Sequence, residues 1–147
     1  MEKTKSEIKY SDYLHEQDIM DDLYSTYQKL IGLSDAEFCC LFSVYKLGCR
    51  YQHEISHQRF MNKQTVSSAL KQLKKKGLIR LEIPPENQRV RRVILTDEGI
   101  KFAKENLDSL SELEEKAWCG LTQEEQAAIL EGMRRINSVL SSALKTK

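Results

Sequence analysis

No apolar run in this sequence approaches the roughly 20 residues that a bilayer-crossing helix takes, so no membrane-spanning segment is expected. The opening residues, MEKTKSEIKYSDYLHEQD, lack the basic start and apolar stretch of a secretory signal, and the expectation is a cytoplasmic protein. Four cysteines, Cys39, Cys40, Cys49 and Cys119, show none of the C-x-x-C spacing that metal sites use. In a reducing compartment they read as free, mostly buried thiols, with redox sensing as the alternative. No nucleophile–base pattern, glycine-rich phosphate loop or pair of catalytic carboxylates stands out. The chain is therefore read as a non-enzyme, with no cofactor and no metal. His53 and His57 lie four residues apart, as two metal ligands can, but nothing is placed to complete a ligand set. A solvated or phosphate-facing role fits them better.

The last absence is the most telling. Residues 61–79, MNKQTVSSALKQLKKKGLI, contain no carboxylate at all. A helix opening at Asn62 and closing at Gly77 places Val66, Ala69, Leu70 and Leu73 on one apolar arc. The other arc holds Gln64, Ser67, Ser68, Lys71 and Lys75. An ordinary solvated face mixes Glu with Lys, because pairs four apart support the helix. Hydroxyls, an amide and lysines alone suit a polyanionic partner. Short Ser and Thr side chains let a helix sit deep in the major groove, Gln64 can pair with the N6/N7 edge of adenine, and lysines neutralise phosphates.

The charge distribution points the same way. The formal net charge of +1 over 147 residues conceals a sharp asymmetry. Residues 1–45 carry four Lys against nine Asp and Glu, net −5, and residues 93–147 carry seven Lys and Arg against ten Asp and Glu, net −3. Residues 46–92 carry twelve Lys and Arg against three Glu, net +9. A basic patch confined to the middle third is the footprint of a phosphate-backbone binder. A chain of this length and 40% apolar content suits one domain with an ordinary core, or one compact lobe plus helices that need a partner.

Helices flank that middle third. A first helix over about 7–31 is apolar around much of its circumference (Ile19, Met20, Leu23, Tyr24, Tyr27, Leu30, Ile31), as in a helix buried on more than one side. Gly32 ends it. Ser34 with Glu37 forms a capping box, and Phe38, Leu41, Phe42 and Tyr45 give the next helix a core stripe closed by Gly48. A short helix over about 53–59 precedes Asn62. Leu78–Ile83 and Val90–Leu95 read as the strands of a hairpin, with both prolines, Pro84 and Pro85, in its turn. Thr96 caps a long helix over about 97–118 with Ile100, Ala103, Leu107, Leu110 and Ala117. Thr122 and Glu125 repeat the capping signal before Ile129, Met133, Ile136, Leu140 and Leu144. Two terminal helices with heptad-like stripes need a surface to bury against: the body of the same chain, or a second copy.

Helix, turn, helix and basic hairpin follow the winged helix-turn-helix order, and laid out this way residues 33–135 resemble the MarR family of bacterial transcription regulators. The resemblance rests on NKQTVSSALKQLKKKGLI as the recognition helix and on RVRRVILTDEG as the second wing strand running into the next helix. It implies a mainly α fold with a small β-hairpin wing, 1–147 being one MarR-like domain: a winged helix-turn-helix reading head at 33–95, flanked by N- and C-terminal dimerisation helices at 1–32 and 96–147. It further implies a sequence-specific, ligand- or stress-responsive regulator that binds a palindromic operator in double-stranded DNA as a homodimer. Carried over by position, Lys63, Gln64, Thr65, Ser67 and Ser68 meet bases and phosphates, Lys71 and Lys75 continue that face, and Asn87, Arg89 and Arg91 belong to the wing. The family's D-x-R wing pattern has Asn87 in place of the aspartate, so Arg89 lacks the charged pair that props the wing. The alternative reading is a winged-helix protein–protein adaptor docking an acidic partner.

Family members respond to planar ligands held between the dimer helices and the reading head. Tyr10, Tyr13, Tyr24, Tyr27 and Trp118 are candidates to line such a cavity, or are plain core. Peroxide-sensing relatives carry a reactive cysteine on the first helix. This chain has none before Cys39, and Cys49 beside Arg50 is the nearest candidate for a thiol activated by positive charge.

Overall fold

The computed structural model describes residues 7–145, so the ends of the two flanking segments, 1–6 and 146–147, lie outside the described residues. The chain divides into two compact units, the first running to Asn106 and the second from Leu107.

In the first unit, helix α1 (Tyr10–Leu30) begins about three residues later than its apolar pattern predicts. Gly32, at φ +75°, turns the chain so that the Leu33 N–H donates to Gln28 O at 2.9 Å. A left-handed glycine just past the last turn is the usual way to satisfy those carbonyls. Ile19, Met20, Leu23 and Leu30 are exposed within the chain. The cover expected on more than one side of α1 is not supplied by its own unit.

Helix α2 (Asp35–Tyr45) starts on the predicted capping box: Ser34 Oγ accepts from the Glu37 N–H at 3.2 Å, and the Ser34 N–H donates to Glu37 Oε2 at 3.1 Å. Its inner face differs from the predicted stripe. Leu41 is fully buried, but Phe38, Phe42 and Tyr45 are only half-buried, and Cys40 and Ser43 occupy the centre. Small side chains there let the helix over Lys63–Lys75 lie close against α2. Helix α3 (Gln52–Gln58) leads through Phe60 and Asn62 into α4 (Lys63–Lys75), whose N-cap Asn62 Oδ1 accepts from the Thr65 N–H at 2.7 Å. Val66, Ala69, Leu70 and Leu73 are buried, as the periodicity predicts. Gly77, at φ +75°, closes the helix.

The hairpin ladder is shorter than the sequence predicts. Strands β1 (Ile79–Glu82) and β2 (Arg92–Leu95) pair antiparallel in the register Ile79↔Leu95 to Glu82↔Arg92. Val90 and Arg91 fall outside it. The Arg91 carbonyl accepts instead from the Gln52 N–H at 3.2 Å, and the Val93 N–H donates to Arg50 O at 2.8 Å. Arg50 and Tyr51 thereby add a third, two-residue segment to the sheet, with a bridge between Tyr51 and Arg92. Thr96 caps α5 (Asp97–Ala103), its Oγ accepting from the Gly99 N–H at 2.9 Å.

The predicted helix over 97–118 is not continuous. After α5 the chain makes a π-helical turn, Lys104–Asp108, before α6 (Ser109–Cys119). Such a turn frees backbone groups from the regular ladder. Here the Tyr27 hydroxyl donates to Asn106 O at 2.8 Å, and Asn106 Nδ2 donates to Phe102 O at 2.8 Å. No proline or glycine marks the interruption, so the apolar pattern alone runs straight through it.

In the second unit, α6 is followed by α7 (Gln123–Leu144), which opens on the predicted Thr122–Glu125 capping box. Gln126 Nε2 donates to Trp118 O at 2.9 Å, which fixes the turn between them. Neither helix has a buried residue, and Leu113, Ile129, Met133, Ile136, Leu140 and Leu144 are all exposed. No helix among the described residues is long and apolar enough to cross a membrane.

Candidate nucleic-acid interface

Burial of one arc of α4 turns the other outward. Lys63, Gln64, Thr65, Ser68, Lys71 and Lys75 are exposed, while Ser67 is half-buried and faces partly inward. Gln64, Thr65, Ser68 and Gln72 line one side of an open groove of about 420 Å³, and Ser34 and Ala36 at the start of α2 line the other. Asn62 sits at its end. Lys71 and Lys75 extend the same face by one and two turns, each turn advancing about 5.4 Å.

The wing projects beside the N-terminal end of this face. Its tip, between β1 and β2, is built from local turns. The Asn87 N–H donates to Pro84 O at 3.2 Å and the Val90 N–H to Asn87 O at 3.4 Å. Asn87 Oδ1 accepts from the Arg89 backbone N–H at 3.0 Å. In place of the charged pair that the family pattern implies, the amide holds the Arg89 backbone, as Asn side chains in turns commonly do. Asn87 thus props the wing without a charge, and the guanidinium stays exposed. Among the described residues, none of Lys63, Lys71, Lys75, Arg89 and Arg91 takes part in an ion pair.

Two residues that the sequence does not single out shape this surface. Gln52 ties three elements together: its backbone N–H reaches Arg91 O, and its Nε2 donates to Lys63 O at 3.2 Å. Lys76 turns the other way. Its ammonium donates to Gly32 O at 2.7 Å and to Glu37 Oε2 at 2.5 Å, and Glu37 is only 6% exposed. The C-terminal cap of α4 is thereby anchored to the α1–α2 turn, and this lysine is not available to a ligand. The neighbouring Lys74, Lys75 and Lys76 look alike in sequence; only their angular positions separate them.

The proposed sensing residues are dispersed. Of the four tyrosines only Tyr24 borders the cleft of about 580 Å³ between α1 and α2, along with Asp21, Ser25, Gln28, Asp35, Phe38 and Cys39. Tyr10 and Tyr13 stack on each other near the start of α1, and Trp118 is part-exposed in the second unit. All four cysteines are free. Burial pushes the Cys40 thiol up to about 12 and raises Cys39 and Cys49. Arg59, over the Phe42 ring at 4.8 Å, opposes the rise in each but does not overcome it. Cys49 is thus not activated; its Sγ donates to Gln58 Oε1 at 3.1 Å. His53 and His57 are both exposed, and no group of three or more metal-ligating side chains occurs among the described residues.

A helix laid in a groove-sized face, with a two-stranded wing beside it, defines a winged helix-turn-helix protein. Residues 31–89 match the profile of the MarR family. The chain's fold is that of MarR family structures over nearly its whole length. A MarR family regulator from Neisseria meningitidis matches with a TM-score of 0.71 at 21% identity, covering 95% of this chain and 99% of that one. MepR of S. aureus, solved as a DNA complex, matches with a TM-score of 0.73 at 21% identity, covering 91% and 99%. PcaV of Streptomyces coelicolor, a transcriptional regulator solved with its natural ligand, matches with a TM-score of 0.67 at 14% identity, covering 90% and 97%. No curated protein matches the sequence.

Proposed function

We propose that the protein is a cytoplasmic, sequence-specific regulator of transcription that binds double-stranded DNA as a homodimer and responds to a small molecule. The observation that carries the reading is the outward arc of α4: a major-groove-sized helix with hydroxyls, an amide and unpaired lysines, flanked by an arginine-tipped wing and free of carboxylates. Lys63, Gln64, Thr65, Ser67 and Ser68 are the base- and phosphate-proximal residues of that helix, and Lys71 and Lys75 follow the backbone. Asn87 sets the wing for Arg89 and Arg91. The exposed apolar faces of α1, α6 and α7 support the dimer, with 33–95 as reading head and the segments on either side as dimerisation helices. A two-fold dimer presents its recognition helices about 34 Å apart, one turn of duplex, and so reads a palindrome. The MepR complex with DNA and the PcaV complex with a natural ligand support duplex and effector as partners.

Selection of duplexes from a random library, followed by affinity measurement across a salt series, tests this. Enrichment of an inverted repeat is expected, with about six to ten phosphate contacts and a loss of roughly 10³–10⁵ in affinity between 50 and 200 mM salt. No enriched sequence, with tight binding to acidic polypeptides instead, would make the protein an adaptor.

A further inference from the structure

Gln52, His53, Lys63, Arg89, Val90 and Arg91 enclose a small cavity of about 200 Å³ where α3, α4 and the descending arm of the wing meet. Its walls are fixed to one another rather than merely adjacent. Gln52 holds the wing arm through Arg91 O and holds the first turn of α4 through Lys63 O. The His53 ring stacks on Tyr51 with centroids 5.6 Å apart, and Tyr51 bridges to Arg92. Three residues with permanent cationic side chains therefore line one space, and no Asp or Glu does. The nearest carboxylate on the same helix, Glu54, is turned away: its Oε2 accepts from the Arg50 N–H at 2.6 Å and the Tyr51 N–H at 3.1 Å.

We propose that this cavity seats one phosphodiester group of the duplex, on the backbone strip between the groove read by α4 and the groove reached by the wing, with His53 as its titratable member. The inference rests on the DNA-binding reading and adds a fixed register point to it. A cavity of this size has room for a phosphate and a few waters, each of which fills about 30 Å³. Two arginines and a lysine bind the oxyanion at any pH, the arginines as planar forks and the lysine as a point charge. The imidazole adds a donor and a charge only when protonated, and histidine is the side chain whose charge ordinarily changes between about pH 5 and 8. Facing His53 are Lys63 from α4 and Arg89 and Arg91 from the wing, with Tyr51 and Glu54 on its own segment. A phosphate brought among them offsets the cationic repulsion that protonation creates, so DNA binding and proton uptake favour each other.

The test is duplex affinity at about pH 8 and about pH 6, each across a salt series, for the parent protein, His53→Gln and His57→Gln. For the parent, affinity should rise roughly 3- to 10-fold at the lower pH. The log–log salt slope should steepen by up to about two, near 0.9 per additional phosphate contact in each subunit. His53→Gln should lose most of the pH response, whatever its affinity at pH 8. His57→Gln, which changes an exposed histidine outside the cavity, should keep it. Inorganic phosphate at constant ionic strength should compete weakly with duplex in the parent, and more at pH 6 than at pH 8. Competition without any pH effect on duplex binding would mark a free-anion site instead. A His53→Gln protein that retains the full pH response overturns the proposal while leaving DNA binding intact. Failure of the parent to bind any duplex at low salt overturns both.

Discussion

A single methyl group at Gly99 should cost the reading head about 3 kcal/mol. Gly99 lies in the first turn of α5, buried against the residue that leads into β1. A Cβ built there would stand 1.8 Å from the Leu78 carbonyl oxygen and 2.8 Å from its carbon. Carbon and oxygen approach no closer than about 3.3 Å even in favourable C–H···O contacts. Helix and strand must therefore part by over an ångström. That movement also strains the Thr96 N–H bond to Leu78 O at 3.1 Å and the Thr96 hydroxyl bond to Gly77 O at 2.5 Å. Two weakened hydrogen bonds contribute about 1 kcal/mol each. Overpacking adds about 1–3 kcal/mol. The intrinsic preference of Ala over Gly in a helix returns about 0.5–1 kcal/mol. For a chain of this size the net should lower the thermal midpoint by roughly 6–12 °C, at about 2–4 °C per kcal/mol. Thermal unfolding followed by far-UV circular dichroism, with urea titration as a second measure, reads it directly. Gly99→Ala with a midpoint within about 1 °C of the parent would show that α5 and β1 are not held at this distance, and the placement of the wing with them.

Other perturbations separate the roles assigned above. Phe60 has a left-handed backbone, φ +52°, and is 96% exposed, so Phe60→Gly relieves strain without removing packing; stability should rise by roughly 0.5–1 kcal/mol in the same melts, and a fall would show the ring to be covered. Lys76→Met leaves the buried Glu37 carboxylate without its cation and should destabilise by about 1–2 kcal/mol, below the usual loss for a buried pair because the lysine is 38% exposed. Its DNA salt slope should match the parent's, whereas Lys71→Met and Lys75→Met should each flatten it by up to about two, near 0.9 per lost contact in each subunit. Arg89→Ala should weaken specific binding by about 1–3 kcal/mol, most on operators with A·T-rich flanks; equal binding to A·T-rich and G·C-rich flanks by parent and variant would remove the wing from the minor groove. Cys40, with its thiol pushed up to about 12, holds its proton at every pH below that and becomes a nucleophilic thiolate only as pH rises toward it. At neutral pH a thiol reagent should therefore modify exposed Cys119 first and Cys40 only on unfolding, and mass mapping of the labelled peptides reads the order.

Much of the reading head was legible because its signals are local. Asn62, Gly77, Ser34 with Glu37, and the spacing of Val66, Ala69, Leu70 and Leu73 all act within one or two turns of the residue that carries them. What escaped the sequence depends on distant partners. Arg50 and Tyr51 are too few to show strand alternation, and they pair only because β2 offers an edge. Val90 and Arg91 have strand-like neighbours, yet Gln52 claims the Arg91 carbonyl from another element. The π-helical turn at Lys104–Asp108 has no breaker residue; Tyr27, nearly 80 positions away, satisfies the carbonyl it frees. Along α4, type and position marked Lys63, Lys71 and Lys75 as outward, but gave no sign that Ser67 is half-buried or that Lys76 is tied to Glu37 and Gly32.

The exposed apolar faces of α6 and α7 lie in a different compact unit from the recognition helix. Under the proposed pairing, this separation has a genetic consequence. A copy with a ruined α4 but intact α6 and α7 would still assemble with normal copies, and each mixed pair would hold only half of a palindromic site. Loss-of-function changes in the reading head would then behave as dominant, while changes that abolish pairing would be recessive. The order of dominance among mutant alleles would separate reading-head positions from pairing positions without any measurement on the purified protein.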